Sequence, residues 1–364
     1  MNQLLPRVGF VGLETYSALG GIQQFNQRVI RHLADLYASA PERVRILTLR
    51  DTPDDLPELD ISMQALPSRM RLQGALLSAA DRLDILLIGQ INLLPAAWLA
   101  KLRNPQLRLI LFVHGVEVWN NALWRRRRFY EPWLLNAVYK IASVSAYTAQ
   151  VMAREFLVKH ERFTLFPNAI DIPLNSPVPQ LRDNSSTILV VTRLSAGERQ
   201  KHVDWVIRGF AKVLSSFPDA RLEIVGSGVL KDEYVALALS LGIDDRVMFL
   251  GRISDLELAS AYDRARLFAL PSTKEGFGIV YLEAWRAGLP VLCSDHGAPA
   301  EIVEDGVDGW HVDASDENAI AKAMLEALTD IQAAKARGLA GYHKARDDYS
   351  DARMRERLRV LLLS

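Results

Sequence analysis

Short apolar runs alternate with stretches of helical spacing along most of the chain. The first run, residues 7–13, is followed by a turn that contains Gly20 and Gly21. After this turn apolar residues recur every three or four positions, as in one face of a helix. They are Ile22, Phe25, Val29, Leu33 and Leu36. The order strand, glycine turn, helix is typical of α/β domains built on a parallel sheet.

The same alternation predicts further strands and helices in both halves of the chain. In the first half, the runs that predict strands are 44–49, 84–89, 107–114 and 141–145. In the second half, they are 187–192, 221–225, 247–250, 267–270 and 291–294. Helices are predicted at 203–214, 230–241 and 345–362. We therefore expect two parallel sheets, each covered by helices on both faces.

Between residues 171 and 186 the alternation stops, and three prolines fall within seven residues. We interpret residues 173–186 as a linker between a domain at 1–172 and a second at 187–344. A C-terminal helix at about 345–364 is expected to pack back on the first domain. A length of 364 residues also exceeds what one core usually serves. Ligands of such folds bind beyond the carboxyl ends of the strands, so we expect the site in a cleft between two facing domains.

Composition excludes several classes of protein. The 43 basic and 43 acidic residues cancel, which argues against bulk nucleic-acid binding. Cys293 is the single cysteine, so no intrachain disulfide forms. The N-terminus does not resemble a signal peptide, and no apolar run reaches the roughly 18 residues of a membrane span. These features predict a cytoplasmic location.

The segment from Pro271 to Ala284 has the most specific pattern. A strand ends at Leu270, a polar turn contains Gly276 and Gly278, and a helix is expected to begin near Ile279. Glycines let backbone N–H groups approach a ligand, and the positive end of a helix suits phosphate. Glu275 and Glu283 lie eight residues apart and suit sugar or ribose hydroxyls. The alternative, a helix cap plus a surface glutamate, is disfavoured by the full segment and by the Ala-Gly-Leu-Pro-Val that follows it.

Other candidate residues lie at strand ends. Arg193 and Lys201 follow the strand at 187–192, where cations would stabilise a departing diphosphate; surface cations are the alternative. His114 ends the strand at 107–114 beside a glycine, where it could line a cleft or serve as a structural histidine. Glu117 is a candidate for facing an acceptor. Gly20 and Gly21 lack the rest of a dinucleotide-binding fingerprint.

These segments together resemble the large family 4 of retaining glycosyltransferases, also called glycosyl transferases group 1. Glu275 to Glu283 matches that family's Glu-x7-Glu motif, and residues 297–309 resemble its usual continuation. The other matching segments are Gly20-Gly21, residues 167–171, and residues 192–194 with Lys201-His202. The resemblance covers nearly the whole chain and is weaker in the N-terminal half.

The resemblance implies the GT-B fold, two facing Rossmann-like doubly wound domains. It also implies metal-independent transfer of a sugar from a UDP- or GDP-sugar to a glycan or lipid-linked acceptor in polysaccharide or glycolipid biosynthesis. The resemblance assigns catalytic roles to His114, Arg193, Lys201 and Glu275. Because residues 195–200 form a longer insert than in many relatives, Arg199 is a possible substitute for Lys201. Donor binding falls on Gly21, Arg252, Ile253, Gly276, Phe277, Gly278, Ile279 and Glu283, and Gly20 and Glu117 are acceptor-side candidates.

A basic segment between Trp119 and Tyr139 is unusual, since four consecutive arginines are flanked by aromatic residues. We predict a helix that either lies on an anionic membrane surface or buries its aromatics in the first domain. A peripheral contact with the inner face of the membrane would suit a lipid-linked acceptor. The candidates for this contact are Trp124, Arg125, Arg126, Arg127 and Arg128.

Neither acidic pair, Asp54-Asp55 or Asp244-Asp245, has the partners of a metal site, so no metal or other cofactor is expected. No carboxylate stands out as a covalent nucleophile, which favours same-face substitution over double displacement. Three alternatives stay open: a sugar-nucleotide epimerase, a glycan phosphorylase and a non-catalytic sugar-binding module. The Glu-x7-Glu segment argues against the first, and the absence of a recognisable pyridoxal-phosphate lysine segment against the second. The third would bind free sugar and ignore nucleotides.

Overall fold

The computed structural model describes residues 5–122, 124–173, 177–182 and 185–364. Their contacts divide the chain into two compact units. The first unit is Met1–Asn168 with Ala352–Ser364, and the second is Ala169–Asp351. The first unit thus ends four residues before the expected boundary at 172. Residues 174–176 and 183–184 of the expected linker lie outside the described residues.

The first unit is built on a parallel sheet of seven strands in the order β3-β2-β1-β4-β5-β6-β7. The strands are β1 (Val8–Leu13), β2 (Val44–Leu49), β3 (Ser62–Leu66), β4 (Ile85–Ile88), β5 (Arg108–Val113), β6 (Val138–Ser143) and β7 (Phe163–Leu165). The helices are α1 (Gly21–Leu36), α2 (Arg69–Ala80), α3 (Leu94–Arg103), α4 (Glu131–Leu135) and α5 (Ala146–Phe156). Chain order reverses between β1 and β4, as in doubly wound folds.

The second unit has a parallel sheet of six strands in the order β10-β9-β8-β11-β12-β13. The strands are β8 (Thr187–Val191), β9 (Arg221–Val225), β10 (Val247–Gly251), β11 (Leu267–Leu270), β12 (Val291–Ser294) and β13 (Gly309–Val312). The helices are α6 (Val203–Leu214), α7 (Lys231–Ser240), α8 (Asp255–Arg264), α9 (Ile279–Arg286), α10 (Ala298–Ile302), α11 (Glu317–Thr329) and α12 (Ile331–Asp348). Here the order reverses between β8 and β11. The prediction of two Rossmann-like α/β domains is confirmed.

The central strands are buried on both faces, because helices cover both sides of each sheet. All four residues of β4 and all four of β11 are buried. In α1, Phe25, Val29 and Leu33 are buried at four-residue spacing, which turns one face of the helix toward the sheet. The residues of the apolar runs that predict the central strands therefore form the centre of each unit's core.

The C-terminal tail does not form the single helix predicted from 345 to 362. It contains the end of α12 and a separate helix, α13 (Asp351–Leu363). The break falls at Tyr349 and Ser350, where the Tyr349 carbonyl accepts a hydrogen bond of 2.7 Å from the Ile170 N–H and Ser350 pairs with Ile170. This pairing diverts backbone groups from the helix, which sequence periodicity does not show. None of the helices in the described ranges is both long and apolar enough to span a membrane.

Candidate functional site

In the second unit, the candidate residues gather where strand order reverses. β8 and β11 are adjacent, with Ile188 paired to Leu267. The loop after β8 carries Arg193, and the turn after β11 carries Glu275. The crevice at the carboxyl ends of two such strands is the usual ligand site of doubly wound sheets. The fold thus brings together two segments about 80 residues apart in sequence.

Two glycines after β9 fix the path of the loop that carries Arg193. Gly226 and Gly228 have φ of 137° and 149°, and a Cβ on Gly226 would lie 1.8 Å from the Thr192 carbonyl oxygen. The Leu194 N–H donates to the Ser227 carbonyl at 3.0 Å. Because the two loops interlock this closely, a side chain at either glycine would force them apart.

A buried carboxylate, Glu198, holds three cations at this point. Arg193 Nη2 lies 3.0 Å from Glu198 Oε1, and Lys274 Nζ lies 3.3 Å from the same oxygen. Lys201 Nζ lies 3.9 Å from Glu198 Oε2 and also contacts Glu275 Oε1. We call Arg193, Lys201 and Lys274 the cation cluster. With its two carboxylates it carries a formal charge of +1, which leaves net attraction for an anion.

Sequence reasoning missed Glu198 and Lys274, although both lie inside recognised segments. Glu198 belongs to a short 3₁₀ helix, Ala196–Lys201, and Lys274 directly precedes Glu275. The sequence did offer one signal for both: each is a charged residue close to a residue already assigned to the site. Arg199, the possible substitute for Lys201, instead forms two hydrogen bonds to Glu233 at 2.5 and 2.6 Å on the surface. The structure therefore places Lys201, and not Arg199, in the cation cluster.

The turn after β11 ends at the N-terminus of α9, which no side chain caps. Gly278 precedes the helix with φ of 96°, a conformation that favours glycine, and a Cβ there would lie 2.4 Å from the Tyr281 ring. Phe277 is buried, and its ring packs edge-on against Tyr349 at 5.6 Å. Gly276 is also buried, and Ile279 begins the helix. The Tyr281 N–H donates to the Gly278 carbonyl at 3.1 Å, and the N–H groups of Ile279 and Val280 come before the first position that can bond within the helix, which suits an anion.

Glu283 lies further along α9 and is held by Tyr262, whose hydroxyl donates to Glu283 Oε2 at 3.0 Å. Burial raises the pKa of Glu283, although the hydrogen bond from Tyr262 opposes the shift. Arg252 and Ile253 follow β10, and Arg252 is exposed. Since β9 lies between β10 and β8, the strands that precede Arg252 and Arg193 are about 10 Å apart. That separation suits a base and a diphosphate of one nucleotide.

In the first unit, His114 follows β5, and its ring is fixed on two sides. Nε2 lies 2.9 Å from the Gly89 carbonyl oxygen, and the ring packs edge-on against Phe25 at 4.7 Å. Burial lowers the pKa of His114, so the ring is neutral near pH 7. A carbonyl partner requires Nε2 to carry the proton, which leaves Nδ1 as an acceptor. His114 is thus prepared to accept a hydrogen bond from a hydroxyl.

Glu117 is 8% exposed and acts on the backbone of His114. Its Oε1 accepts a hydrogen bond from the His114 N–H, and its Oε2 is buried without a partner among the described residues. The Glu117 carbonyl also accepts from Arg125 Nη1 at 2.9 Å. The geometry therefore gives Glu117 a role in holding the turn after β5.

The glycine turn leads into α1, whose N-terminus also lacks a side-chain cap. A Cβ on Gly21 would meet nothing within 4 Å, whereas one on Gly20 would lie 2.7 Å from Gln23 Oε1. The preceding loop is held by Asp51, a residue that sequence reasoning missed. Its carboxylate accepts three backbone hydrogen bonds of 3.0 to 3.1 Å, from Thr15, Tyr16 and Ser17. By holding this loop, Asp51 helps to place the glycine turn, with Gly21 uncovered, at the point where the strand order of the first sheet reverses.

The basic segment is not the helix we predicted. Residues 124–130 form turns and loop, Asn121 pairs with Arg125, and a helix forms only at α4. Arg125 contacts the buried carboxylate of Glu131, and the guanidinium of Arg127 donates to the Glu155 carbonyl. These partners, which lie outside residues 124–130, hold the chain in a loop. Trp124 packs against Trp119 at 5.7 Å, while Arg126 and Arg128 are exposed.

The described residues contain no group of three or more His, Cys, Asp or Glu side chains that could hold a metal ion. Neither acidic pair considered from the sequence gains such partners in the fold.

Two family models match adjoining parts of the chain, which together extend from residue 20 to residue 344. The model described as Glycosyltransferase Family 4 matches residues 20–173, and the model described as Glycosyl transferases group 1 matches residues 171–344. The two matches together follow the division into two units and include each residue assigned to donor binding.

Among curated relatives, the GDP-mannose-dependent alpha-(1-6)-phosphatidylinositol monomannoside mannosyltransferase of Mycolicibacterium smegmatis is 36% identical over 180 residues. The match spans 48% of this chain and 47% of the relative, so the chain spans about half the length of that protein. The phosphatidyl-myo-inositol mannosyltransferase of Mycobacterium leprae is 26% identical over 342 residues, which are 88% of this chain and 87% of the relative.

Among solved structures, the Anabaena protein Alr3699/HepE in complex with UDP is similar with a TM-score of 0.77 at 17% identity. The match covers 98% of this chain and 99% of that chain. At this identity the likeness concerns the fold, and it confirms the expected GT-B fold.

Proposed function

Because the chain belongs to the family 4 glycosyltransferases, also described as Glycosyl transferases group 1, we propose that it transfers a sugar from a nucleoside diphosphate sugar to an acceptor hydroxyl. The observation that carries this proposal is the cation cluster where strand order reverses between β8 and β11. It lies beside the uncapped end of α9 and the carboxylate of Glu275. Cations and helix N–H groups suit a diphosphate, and a carboxylate suits sugar hydroxyls.

Donor binding is assigned to the second unit. The diphosphate contacts Arg193, Lys201, Lys274 and the backbone of residues 276–279, and the base lies against Arg252 and Ile253. Glu283 accepts a hydrogen bond from the ribose with the carboxylate oxygen that Tyr262 does not hold. Glu275 accepts from the donor sugar. For this, Lys201 must exchange its contact with Glu275 for a phosphate oxygen, and the anion that arrives compensates for the ion pair that is lost.

The cation cluster also supplies the chemistry of leaving-group departure. As the bond to the diphosphate breaks, negative charge grows on the phosphate, and Arg193, Lys201 and Lys274 stabilise it without reorganising. These cations do here what a divalent metal does elsewhere, so we propose metal-independent transfer. The configuration at the anomeric carbon is retained by same-face substitution. The departing phosphate accepts the proton of the acceptor hydroxyl.

Acceptor binding is assigned to the first unit. Neutral His114 accepts a hydrogen bond from a substrate hydroxyl through Nδ1, and Glu117 keeps its backbone in place. We assign the open backbone of Gly21 to donor binding and Gly20 to acceptor binding. Relatives named as mannosyltransferases of phosphatidylinositol glycolipids support a lipid-linked or glycan acceptor. We place the reaction on the cytoplasmic side, at the surface of a membrane.

Isothermal titration with UDP, GDP and ADP tests donor binding, with and without EDTA. We expect one diphosphate to bind in the micromolar range, with the same affinity when EDTA is present. Glu283→Ala should lose that affinity, and the matched control Glu233→Ala, an exposed glutamate paired with Arg199, should keep it. A non-catalytic sugar-binding module would instead bind free sugars and none of the three nucleotides, which would contradict the proposal.

A further inference from the structure

The residue after Lys201 has a backbone conformation that is uncommon outside glycine. His202 has φ of 56° and ψ of 36°, in the left-handed region. It lies between the 3₁₀ helix Ala196–Lys201 and α6, and its N–H donates to the Arg199 carbonyl at 3.0 Å. Such a conformation costs energy in a residue with a Cβ, and it persists where surrounding contacts hold it. At His202, these contacts come from another segment of the second unit.

The His202 side chain reaches the turn after β11. Its Nε2 lies 2.9 Å from Thr273 Oγ1, which lies 3.4 Å from the Gln200 carbonyl oxygen. The Thr273 N–H donates to the same carbonyl at 2.9 Å. Burial lowers the pKa of His202, although Asp204 and Asp313 oppose the shift, so the ring is neutral near pH 7. A neutral ring that donates from Nε2 lets the Thr273 hydroxyl accept from His202 and donate to Gln200. We call Gln200, His202 and Thr273 the inter-loop clasp.

The inter-loop clasp adjoins the two lysines of the cation cluster. One lysine directly precedes the histidine of the clasp, and the other directly follows its threonine. Each lysine reaches a carboxylate on the other segment: Lys201 contacts Glu275, and Lys274 Nζ lies 3.3 Å from Glu198 Oε1. Long cationic side chains lose much conformational freedom when they are held in one place. Because the clasp joins the two segments at their backbones, it limits where both ammonium groups can lie.

We propose that His202 and Thr273 are positioning residues for the diphosphate that we assign to the cation cluster. Their hydrogen bond keeps the segments of Lys201 and Lys274 together before the anion arrives, so that binding does not have to order them. Neither His202 nor Thr273 is assigned a contact with the substrate. Their role rests on the proposed nucleotide binding of the second unit, which does not itself require the clasp.

Titration of the intact protein with UDP, GDP and ADP tests the role of the threonine. Thr273→Val keeps the shape of the side chain and removes the hydroxyl, and it should weaken binding of the diphosphate that the parent protein prefers by about fivefold to tenfold. Thr273→Ser keeps the hydroxyl and should bind as the parent does. The matched control Thr329→Val removes another exposed threonine hydroxyl, which donates to the Leu325 carbonyl at 2.7 Å, and should leave binding unchanged. Since Thr273 is exposed, its variants should melt close to the parent protein.

Variants of His202 separate the side chain from the backbone. His202→Gly adopts the same φ without strain but lacks the ring, so it should also bind about fivefold to tenfold more weakly. His202→Gln keeps an N–H donor that can reach Thr273 and should restore most of the affinity. The double variant His202→Gly, Thr273→Val should bind no more weakly than His202→Gly alone, because both changes break the same hydrogen bond.

The titrations also separate failure of the clasp from failure of the proposed function. Binding as in the parent protein by Thr273→Val or His202→Gly, or losses that add in the double variant, would overturn the proposal. An equal loss in Thr273→Ser and Thr273→Val would do the same. If the parent protein itself binds none of the three diphosphates, the proposed function fails, and the clasp has no diphosphate to position.

Discussion

At the scale of single residues, the site depends on carboxylates whose surroundings differ. Glu198 is buried, and it is paired with the three cations around it and orients them. Glu283 is buried with one hydroxyl partner, and the burial raises its pKa. The sequence identified Glu283 from its motif, but only the fold shows that Glu198 faces Arg193, Lys201 and Lys274 together.

Lys274 provides the first prediction. Lys274→Met removes one of the three charges that we assign to diphosphate binding and should weaken this binding about tenfold, the effect of one charge-assisted contact. Arg199→Met is the control, because Arg199 lies near the same loop but pairs with Glu233. Titration with the preferred nucleoside diphosphate measures both. An equal loss in the two variants would mean that general charge, and not position, governs binding.

Glu283 provides a prediction about pH. Its raised pKa means that the folded protein holds this proton more tightly than the unfolded chain, so its contribution to stability is present at acid pH and is lost as pH rises through the folded-state pKa. Glu283→Gln should therefore raise the melting temperature at neutral pH, with a smaller gain at acid pH. The same variant should weaken nucleotide binding. A variant less stable than the parent at neutral pH would contradict this reading.

At the scale of elements, apolar periodicity predicted the central strands, because their residues are buried on both faces. It did not reveal β3, β7 and β13, which are at sheet edges and have short or partly polar sequences. The predicted basic helix was wrong for another reason. Local spacing could not show that Arg125 meets a buried Glu131 and that Arg127 meets the Glu155 carbonyl. The conformation of this basic segment is determined by these partners outside it.

The turn before α9 gives a prediction at this scale. Gly278→Ala adds a Cβ that meets the Tyr281 ring, at a φ that strains alanine, and should cost about 1–3 kcal/mol of stability. It should also displace the N–H groups of α9 and reduce nucleotide binding. Gly306→Ala, at a similar φ of 75° but in open space, should cost about 1 kcal/mol and leave binding unchanged. Urea unfolding and nucleotide titration on both variants separate strain from site geometry.

At the scale of the whole molecule, the two units share one plan. Each has a parallel sheet whose order reverses beside its first strand, and each has an uncapped helix N-terminus after a glycine turn. The sequence was sufficient to predict this architecture, because glycine turns and the apolar runs of strands are recognisable from neighbouring residues alone. The donor base and the acceptor depend on pocket shape, which neither composition nor motif encodes. The relatives support sugar transfer as the class of reaction, and the donor and acceptor are to be identified by measurement.

The central claim is transfer of a sugar from a nucleoside diphosphate sugar with retained configuration. The most direct test incubates the protein in EDTA with single UDP- and GDP-sugars and a panel of acceptors, and follows diphosphate release and the anomeric proton of the product by NMR. The account predicts release from one donor, dependent on an acceptor, with the donor's anomeric configuration in the product. Inverted product, a requirement for a divalent metal, or epimerised donor without diphosphate release would contradict it.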